Sequence, residues 1–395
     1  MSLAVVDTDI QRLQLGIPPE HADFLQAMTL GRAYWLDYVR DYYLNGYILA
    51  GGSKVKVLVG AAGSGKTHLL RSVQVDATHM GYSTVYLSGY DMALNDLVGF
   101  YRTVVAGLDL DALVHGLAAG VIRHMGYAPE EIGVQPTFVQ TLYEQERLTR
   151  ELAERAINKA IGTLVAGVDL GSSFRTFVHE VVRNRLILGQ EEAIALALSW
   201  LRGDKLERKQ KQALGLYERL QPSNARYWLN ALVHLLRLAG IPGLVVLLDD
   251  GQAIAGRKPD SHRYRYSPQA AKDICEFFRQ LIDDGEWLEH MLVLVAGRPE
   301  MIEDEKRGFK SYDALWMRLQ TGLLSADFNP LADVLNTERH VQAQGEDFPE
   351  QVQHHLRSLL QAAGLTLGYH GLPTIQHDYP LRARVKEVAA LVEEA

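Results

Sequence analysis

The sequence predicts an α/β fold: a parallel sheet interrupted by a large helical insertion and followed by a small helical C-terminal region. Apolar strand-like runs precede a glycine-rich loop at 60–67 and an acidic pair at 249–250, and almost everything between them has helical periodicity. A length of 395 residues exceeds one typical domain. The predicted regions are a helical lead-in (1–48), an α/β core (49–95 and 236–330), the insertion (96–235) and the C-terminal region (331–395).

The glycine-rich loop follows a short apolar strand and precedes a helix. Its sequence fits G-x-x-x-x-G-K-[ST], the P-loop pattern, in which glycines let backbone N–H groups point at phosphate oxygens. Lys66, which we also count as catalytic, reaches the β- and γ-phosphates, and the Thr67 hydroxyl ligates Mg²⁺. The residues expected to contact the nucleotide are Gly60, Ala61, Ala62, Gly63, Ser64, Gly65, Lys66, Thr67 and His68. A glycine-rich turn that binds nothing is the alternative.

The lead-in is predicted to contain two helices that are separated near Gly31 and Arg32. Apolar residues recur at helical spacing from about His21 to Leu44. Residues 1–20 are polar, and we expect them to be loosely held. A C-cap glycine followed by a solvated arginine explains the break without a ligand.

The insertion is predicted to be helical because no convincing strand occurs between about Met92 and Leu238. One long helix is expected from Phe138 to Leu164. A connection of this length exceeds what a single crossover helix needs. The segment 202–211 is rich in charge; a solvated surface is the usual explanation, and phosphate contact is the alternative.

A further strand ends in two carboxylates. Leu244–Leu248 is an unbroken apolar run, typical of a central parallel strand covered on both faces. Ligands bind at the carboxyl ends of such strands. After a P-loop, this is a Walker-B-like element in which Asp249 holds Mg²⁺, directly or through water. A plain turn at the end of a strand would have a similar sequence.

The loop after this strand mixes cations with aromatic residues. Its four candidate contacts are Arg257, Lys258, Arg263 and Arg265. Such loops contact nucleic-acid backbones and stack on bases; a mobile surface loop and a protein interface are the alternatives. DNA is therefore a candidate partner, although a net charge of −8 argues against broad nonspecific affinity.

Two further arginines are candidates for catalytic contact with the γ-phosphate. A buried strand is predicted at Met291–Gly297, in the place of the sensor strand of an ATPase sheet, and Arg298 follows it. Arg318, on the next helix, is a candidate arginine finger acting in trans if the protein assembles into rings. The alternatives are a solvated loop arginine and a surface salt bridge.

Composition limits the compartment. The single cysteine, Cys275, excludes an internal disulfide and a cysteine-based zinc site. The N-terminal residues lack the features of a signal peptide, and no stretch approaches the length of a membrane span. These observations predict a cytoplasmic protein with no membrane partner.

Four segments together resemble the P-loop ATP-binding proteins of the bacterial BREX phage-exclusion systems. They are Gly31-Arg32, VGAAGSGKTHLL at 59–70, SWLRGDKL at 199–206 and LLRLAGIPGLVVLLDD at 235–250. The resemblance implies an AAA+-like P-loop NTPase fold related to origin-recognition ATPases and ATP as the nucleotide. It also implies contact between Arg32 and the base, homo-oligomer formation, and a role in anti-phage defence alongside other subunits.

One position departs from the family pattern. The family has a water-orienting glutamate where this chain has Asp250, so the resemblance implies that Asp250 takes the catalytic position. Aspartate is one methylene shorter, and misplacement by about an ångström can cost on the order of 10²-fold in rate. Two functions are therefore expected as alternatives: an ATPase acting as a nucleotide-dependent motor, loader or switch, and a nucleotide-stabilised scaffold or regulatory subunit with little or no hydrolysis. A small-molecule kinase is disfavoured because no lid with paired arginines is evident.

Overall fold

Five strands form one parallel sheet within the residues that the computed structural model describes, namely 5–283, 288–324, 328–368 and 378–392. The strands are β1 (Ser53–Val59), β2 (Ser83–Ser88), β3 (Leu244–Asp249), β4 (Met291–Gly297) and β5 (Val334–Asn336). Their order is β2-β3-β4-β1-β5, and every pairing is parallel. The predicted α/β fold with a parallel sheet is therefore confirmed, and β4 lies between the strand before the glycine-rich loop and the strand that ends in Asp249.

Both faces of the sheet are covered. Val246 of β3 packs with the insertion, whereas its neighbours Val245 and Leu247 pack with the lead-in and the helix after the glycine-rich loop. All residues of β3 and β4 are buried. Burial on both faces explains why these strands appear in the sequence as unbroken apolar runs.

Helices surround the sheet. Before the insertion lie α1 (Asp7–Gln14), α2 (Ala22–Met28), α3 (Leu36–Tyr38), which continues as a π-helix over Val39–Ile48, and α4 (Lys66–His79). The insertion contains α5 (Leu97–Ala106), α6 (Leu110–His124), α7 (Pro129–Ile132), α8 (Thr137–Glu146), α9 (Arg150–Ala166), α10 (Ser172–Arg183), α11 (Glu191–Leu201), α12 (Arg208–Leu214) and α13 (Ala225–Leu238). After it come α14 (Pro268–Asp283), α15 (Glu300–Glu303), α16 (Asp313–Leu324), α17 (Thr337–Gln342), α18 (Phe348–Ala362) and α19 (Pro380–Ala389). Within the described ranges no single helix is long and apolar enough to cross a membrane, and the bent pair α5–α6 meets that test jointly, by length and composition only.

The insertion is built around an aromatic core. The ring of Trp228 on α13 lies 4.7 Å from that of Trp200 and 5.1 Å from that of Phe174, measured between centroids. All three side chains are buried. Large rings in such edge and tilted contacts contribute strongly to a core, so the insertion has a packed centre of its own.

The single helix predicted from Phe138 to Leu164 is wrong. The chain breaks between α8 and α9, where Arg147 takes a left-handed conformation with φ of 53°. Thr149 then caps α9 by accepting the N–H of Leu152. A threonine N-cap is an ordinary helix start, and it divides the apolar periodicity into two helices.

The two ends of the described chain pack together. Ile10 and Leu13 of α1 are buried in one cluster with Val388 and Ala389 of α19. The prediction that residues 1–20 are loosely held is therefore wrong for the described part of that segment, because α1 buries an apolar face.

The sequence does not predict the fifth strand. β5 pairs with β1 from Val57–Val334 to Val59–Asn336. It lies in the region 331–395, for which the sequence predicts helices alone, because three residues are too few to form a recognisable strand pattern. The predicted core boundary at residue 330 thus leaves one strand of the sheet outside.

Candidate functional site

The glycine-rich loop joins the end of β1 to the start of α4. Gly63 and Gly65 have φ of 89° and 96°, a conformation that glycine adopts without steric cost. Lys66 is buried, and its Nζ donates to the carbonyl oxygens of Gly60 at 2.8 Å and Ala61 at 2.7 Å. The strand–loop–helix context that the P-loop pattern requires is therefore present.

Burial lowers the pKa of Lys66 to about 8. The negative charges of Asp249 and Glu338 raise this pKa, and the positive charges of Arg298 and Arg382 lower it. An anion bound beside the ammonium favours its charged form. A bound phosphate would therefore give Lys66 a charged hydrogen-bond acceptor in place of the two neutral carbonyl oxygens.

Thr67 and Asp249 are in direct contact. The Thr67 hydroxyl donates to Oδ2 of Asp249 at 2.7 Å, and the Tyr86 hydroxyl, from β2, donates to the same oxygen at 2.6 Å. In the described ranges no group of three or more His, Cys, Asp or Glu side chains could hold a metal on its own. One hydroxyl and one carboxylate fit Mg²⁺, which takes its remaining ligands from water and substrate phosphates.

Asp250 is held beside Asp249 by two side chains. Its φ is 56°, which is uncommon outside glycine. Its carboxylate accepts hydrogen bonds from the Ser88 hydroxyl at 3.1 Å and from Nε2 of Gln252 at 3.0 Å. Gln252 in turn accepts the backbone N–H of Arg298 at 3.1 Å. The sequence gives no indication of this link between the second carboxylate and the residue after β4.

The two predicted γ-phosphate arginines lie in different surroundings. The charge of Arg298 acts on Lys66. Arg318 pairs with Asp283, with 2.7 Å between Nη2 and Oδ2. That ion pair is the salt bridge that the sequence leaves open as the alternative for Arg318, and a role in trans stays a prediction.

Residues after β5 brace the loop, and sequence reasoning missed them. The Ala61 N–H donates to Oε1 of Glu338 at 2.7 Å, and the hydroxyls of Ser64 and Thr337 are 2.6 Å apart. Asn336 caps α17 by accepting the N–H groups at its start. The Asn-Thr-Glu run was the available signal, because an asparagine N-cap followed by an acidic residue marks a helix start.

The start of α19 lies over the loop. A Cβ atom on Gly63 would be 2.9 Å from Cβ of Arg382 and 3.2 Å from Cβ of Tyr379. Arg382 pairs with Asp378, and its Nε–H is buried without a hydrogen-bond partner among the described residues. A buried, unpaired guanidinium N–H is costly and favours an anionic acceptor. No sequence motif points to Arg382, since its place at the site depends on how α19 docks.

An apolar cavity of about 200 Å³ adjoins the loop. Its walls come from the lead-in, from α4 and from the C-terminal helices, and they include Leu13, Ile17, Met28, Phe348 and Val385. Both ends of the chain therefore contribute to a pocket whose remaining wall is the phosphate-binding loop itself.

Three polar side chains also line this cavity. Nε2 of His68 is 3.0 Å from the Thr29 hydroxyl, and Nε2 of His340 is buried without a partner in the described structure. Burial lowers the pKa of both histidines to about 4, so both are neutral near pH 7. Arg32, expected to contact a base, is not part of the described lining; it donates to Asp76 at 2.5 Å.

The basic loop after β3 is folded back on the protein. Arg257 donates to the carbonyl oxygen of His262 at 2.9 Å, and Arg265 donates to that of Tyr90 at 2.6 Å. Two of the four cations considered for DNA contact are thus engaged within the protein. The other two, Lys258 and Arg263, are exposed.

Fold and site together define a class: α/β proteins whose glycine-rich loop, lysine and nearby carboxylate suit a nucleoside triphosphate. Residues 4–359 match the family model described as BREX system ATP-binding protein BrxC/D. The chain therefore belongs to this family, as the resemblance implied, and the family description gives it an ATP-binding role in BREX phage defence. Comparisons with curated proteins and with solved structures each found no match.

Proposed function

We propose that this chain is an AAA+-like P-loop ATPase that binds ATP with Mg²⁺, hydrolyses it slowly, and acts as a motor, loader or switch in the multi-subunit, DNA-linked BREX system. The observation that carries the proposal is the Thr67–Asp249 hydrogen bond. This bond joins the loop hydroxyl to the β3 carboxylate. The charge of that carboxylate and the burial of Lys66 both affect the pKa of the lysine.

The loop would hold the phosphates. Lys66 exchanges its partners, the carbonyls of Gly60 and Ala61, for phosphate oxygens, which make stronger charge-assisted hydrogen bonds. The N-terminus of α4 favours the same anion. Arg382 supplies a further cation with an unpaired N–H. Lys66 has only neutral hydrogen-bond partners among the described residues, and the Nε–H of Arg382 has none, which supports a triphosphate as the ligand.

Thr67 and Asp249 would hold Mg²⁺, which neutralises phosphate charge during transfer. The Tyr86 hydroxyl orients the same carboxylate oxygen. The adenine base would occupy the apolar cavity, because pockets for flat ligands combine apolar walls with a few polar groups. Thr29, His68 and His340 are those polar groups.

Asp250 would orient the attacking water, and its surroundings support slow turnover. Both oxygens of its carboxylate accept hydrogen bonds, from Ser88 and Gln252, and its side chain is shorter than the family's glutamate. Arg298 connects to it through Gln252 and adds positive charge near Lys66.

The sheet supports the AAA+-like assignment, because β4 lies between β1 and β3, the place expected of a sensor strand. Other BREX subunits are the proposed partners, in line with the family description. A homo-oligomer and a cytoplasmic location stay predictions.

Calorimetry with ATP tests the proposal. Wild-type protein should bind ATP more tightly with Mg²⁺ than with a chelator, and Thr67→Ala should lose that difference. Thr78→Ala is the matched control at the far end of α4, where its hydroxyl contacts Thr84. Equal ATP affinity with and without Mg²⁺ in the wild type would contradict the metal site, and no binding at all would contradict the whole proposal.

The scaffold is the second candidate, and the aspartate at position 250 favours it. Single-turnover assays, with and without double-stranded DNA, separate the two functions. Under the ATPase proposal, Asp250→Glu raises turnover by up to roughly 10²-fold and Asp250→Ala lowers it. Tight ATP binding with no turnover in any of these proteins would favour the scaffold.

A further inference from the structure

The insertion carries a concave basic surface far in sequence from the glycine-rich loop. We define the insertion groove by its polar and aromatic lining side chains Lys205, Glu207, Arg208, Lys211, Gln212, Tyr217 and Arg219, which border a cavity of about 510 Å³. The segment is firmly placed: Leu206, Leu214 and Leu216 are buried beneath it. The cations are therefore presented on ordered backbone.

The groove carries an excess of positive charge, because four cations and one carboxylate, Glu207, line it. Among the described residues, the side chains of Lys205, Arg208, Lys211 and Arg219 form no ion pair or hydrogen bond. From 202 to 219 the sequence has six cations and three carboxylates, against a net charge of −8 for the whole chain.

Two of the three carboxylates in this segment are already engaged. Glu207 caps α12 in a capping box with Gln210. Glu218 accepts hydrogen bonds from Asn224 and Trp228, at 3.1 Å each. Glu207 keeps its negative charge and lines the groove, so the four lining cations outnumber the lining carboxylate by three.

The loop 257–266 offers a direct comparison. There Arg257 stacks 4.5 Å from the Tyr264 ring centroid and Arg265 donates to a backbone carbonyl, so half of its cations already have partners. Unpaired cations that share one concavity repel each other, and a bound polyanion reduces that repulsion more than dilute salt does. The insertion groove therefore has more cations without a protein partner than the loop 257–266 has.

The chemistry of the groove favours nucleic acid over a protein partner. Protein interfaces are built on apolar cores and are depleted in lysine, whereas lysine and arginine are the main phosphate contacts of nucleic-acid-binding proteins. Tyr217 is 63% exposed at the groove, and an exposed aromatic ring among cations can stack on an unpaired base.

We propose that the insertion groove binds the phosphate backbone of DNA, with Tyr217 stacking on unpaired bases. Binding follows from counterion release when Lys205, Arg208, Lys211 and Arg219 each neutralise a phosphate. None of its lining residues lines the cavity beside the glycine-rich loop, so the proposal requires no bound nucleotide.

The test is fluorescence anisotropy with labelled single-stranded and duplex oligonucleotides, titrated at several salt concentrations without nucleotide. The groove variant changes Lys205, Arg208, Lys211 and Arg219 to Gln, and the matched control changes Arg257, Lys258, Arg263 and Arg265 to Gln. Both lose four charges. If each groove cation contacts one phosphate, the slope of log affinity against log salt falls by up to about 3.6 on duplex DNA in the groove variant, and the control keeps the wild-type slope.

Two more variants test base stacking and the ATP site separately from the phosphate contacts. Tyr217→Ala should weaken binding to single strands and leave duplex binding unchanged. Lys66→Ala should bind DNA as the wild type does, which keeps a failure of the ATP proposal distinguishable from a failure of this one. Circular dichroism and thermal unfolding verify that each variant is folded.

Three outcomes would overturn the proposal. The first is no wild-type DNA binding at low salt, and the second is a groove variant with the wild-type salt slope. The third is a control variant that loses the slope instead, which would assign DNA contact to the loop 257–266. A groove variant that loses assembly with other subunits while the wild type binds no DNA would indicate an acidic protein as the occupant.

Discussion

The glycine-rich loop and the helical insertion are held in place by different kinds of interaction. Single polar contacts from distant elements hold the loop, such as those from Glu338 to Ala61 and from Asp249 to Thr67. Packed rings hold the insertion, around Trp228. Polar contacts exchange partners readily when a charged ligand arrives, whereas close-packed cores resist deformation. We therefore expect nucleotide to rearrange the loop while the insertion moves as a unit.

The largest effect is expected from the insertion's core. Trp228→Ala removes a fully buried ring and should lower the free energy of unfolding by about 3–5 kcal/mol. Urea unfolding followed by circular dichroism measures it. Tyr143→Ala, an exposed aromatic residue on α8, is the control and should change stability by less than about 0.5 kcal/mol. A small loss in Trp228→Ala would mean that the aromatic cluster is not the insertion's main support.

Lys66→Ala should have the opposite profile, with lost ligand binding and a retained fold. We expect ATP affinity to fall by roughly two orders of magnitude or more, because a charged hydrogen-bonding partner of the phosphates is removed. Calorimetry gives the affinity, and thermal unfolding gives the stability. Lys54→Ala is the control, since Lys54 pairs with Asp333 at the other end of β1. Unchanged ATP affinity in folded Lys66→Ala would sink the loop assignment.

A buried lysine beside β5 makes stability depend on pH. Lys56 is fully buried and donates to the carbonyl of Ala332 at 2.7 Å and to the hydroxyl of Tyr43 at 3.0 Å. Burial lowers its pKa from 10.5 to about 7. Between these values the unfolded chain binds a proton that the folded chain lacks, so the free energy of unfolding rises with pH, by at most about 1.4 kcal/mol per unit.

Urea unfolding from pH 7 to about pH 9.5, below the range where tyrosines ionise, measures this slope. Lys56→Met should show a shallower rise than the wild type. The exposed Lys272, replaced by Met, is the control and should keep the wild-type slope. Parallel pH profiles for wild type and Lys56→Met would show that Lys56 keeps its proton on folding.

The smallest effect is expected from removing the contact between Glu338 and the glycine-rich loop. Glu338→Ala removes the acceptor of the Ala61 N–H and should weaken ATP binding by about 0.5–1.5 kcal/mol, or roughly 2- to 12-fold. Glu338→Gln keeps an oxygen acceptor and should restore most of the affinity, while exposed Glu346→Gln serves as the control. Equal losses in the Ala and Gln variants would show that the charge of Glu338 matters rather than its hydrogen bond.

Local patterns predicted the centre of the site and not its surroundings. The contact between Thr67 and Asp249 could be anticipated, because a P-loop and a strand ending in carboxylates each have a sequence signature. No signature places Glu338 or Arg382 at the loop: the Asn-Thr-Glu run marks only a helix start, and each side chain reaches the loop because β5 and α19 dock there. Side chains that reach a site through tertiary packing produce neither a hydrophobic periodicity nor a motif of fixed spacing in the sequence.

The fold likewise contains elements that a local sequence pattern predicts and elements that depend on tertiary contacts. Long apolar runs such as β3 and β4 were recognisable as buried strands. β5 is too short to be recognised, and it becomes a strand through its pairing with β1. The break between α8 and α9 depends on a threonine cap that interrupts an otherwise continuous apolar pattern.

The docking of α19 over Gly63 sets the time at which the site can be completed during synthesis. Arg382 leaves the ribosome roughly 300 residues after the loop that it covers. At translation rates of about 5–20 residues per second, that interval is on the order of a quarter of a minute to a minute. For most of this interval the loop lacks both its α19 cover and its β5 brace, and we expect the nascent chain to gain full nucleotide affinity only after α19 has been synthesised and has docked.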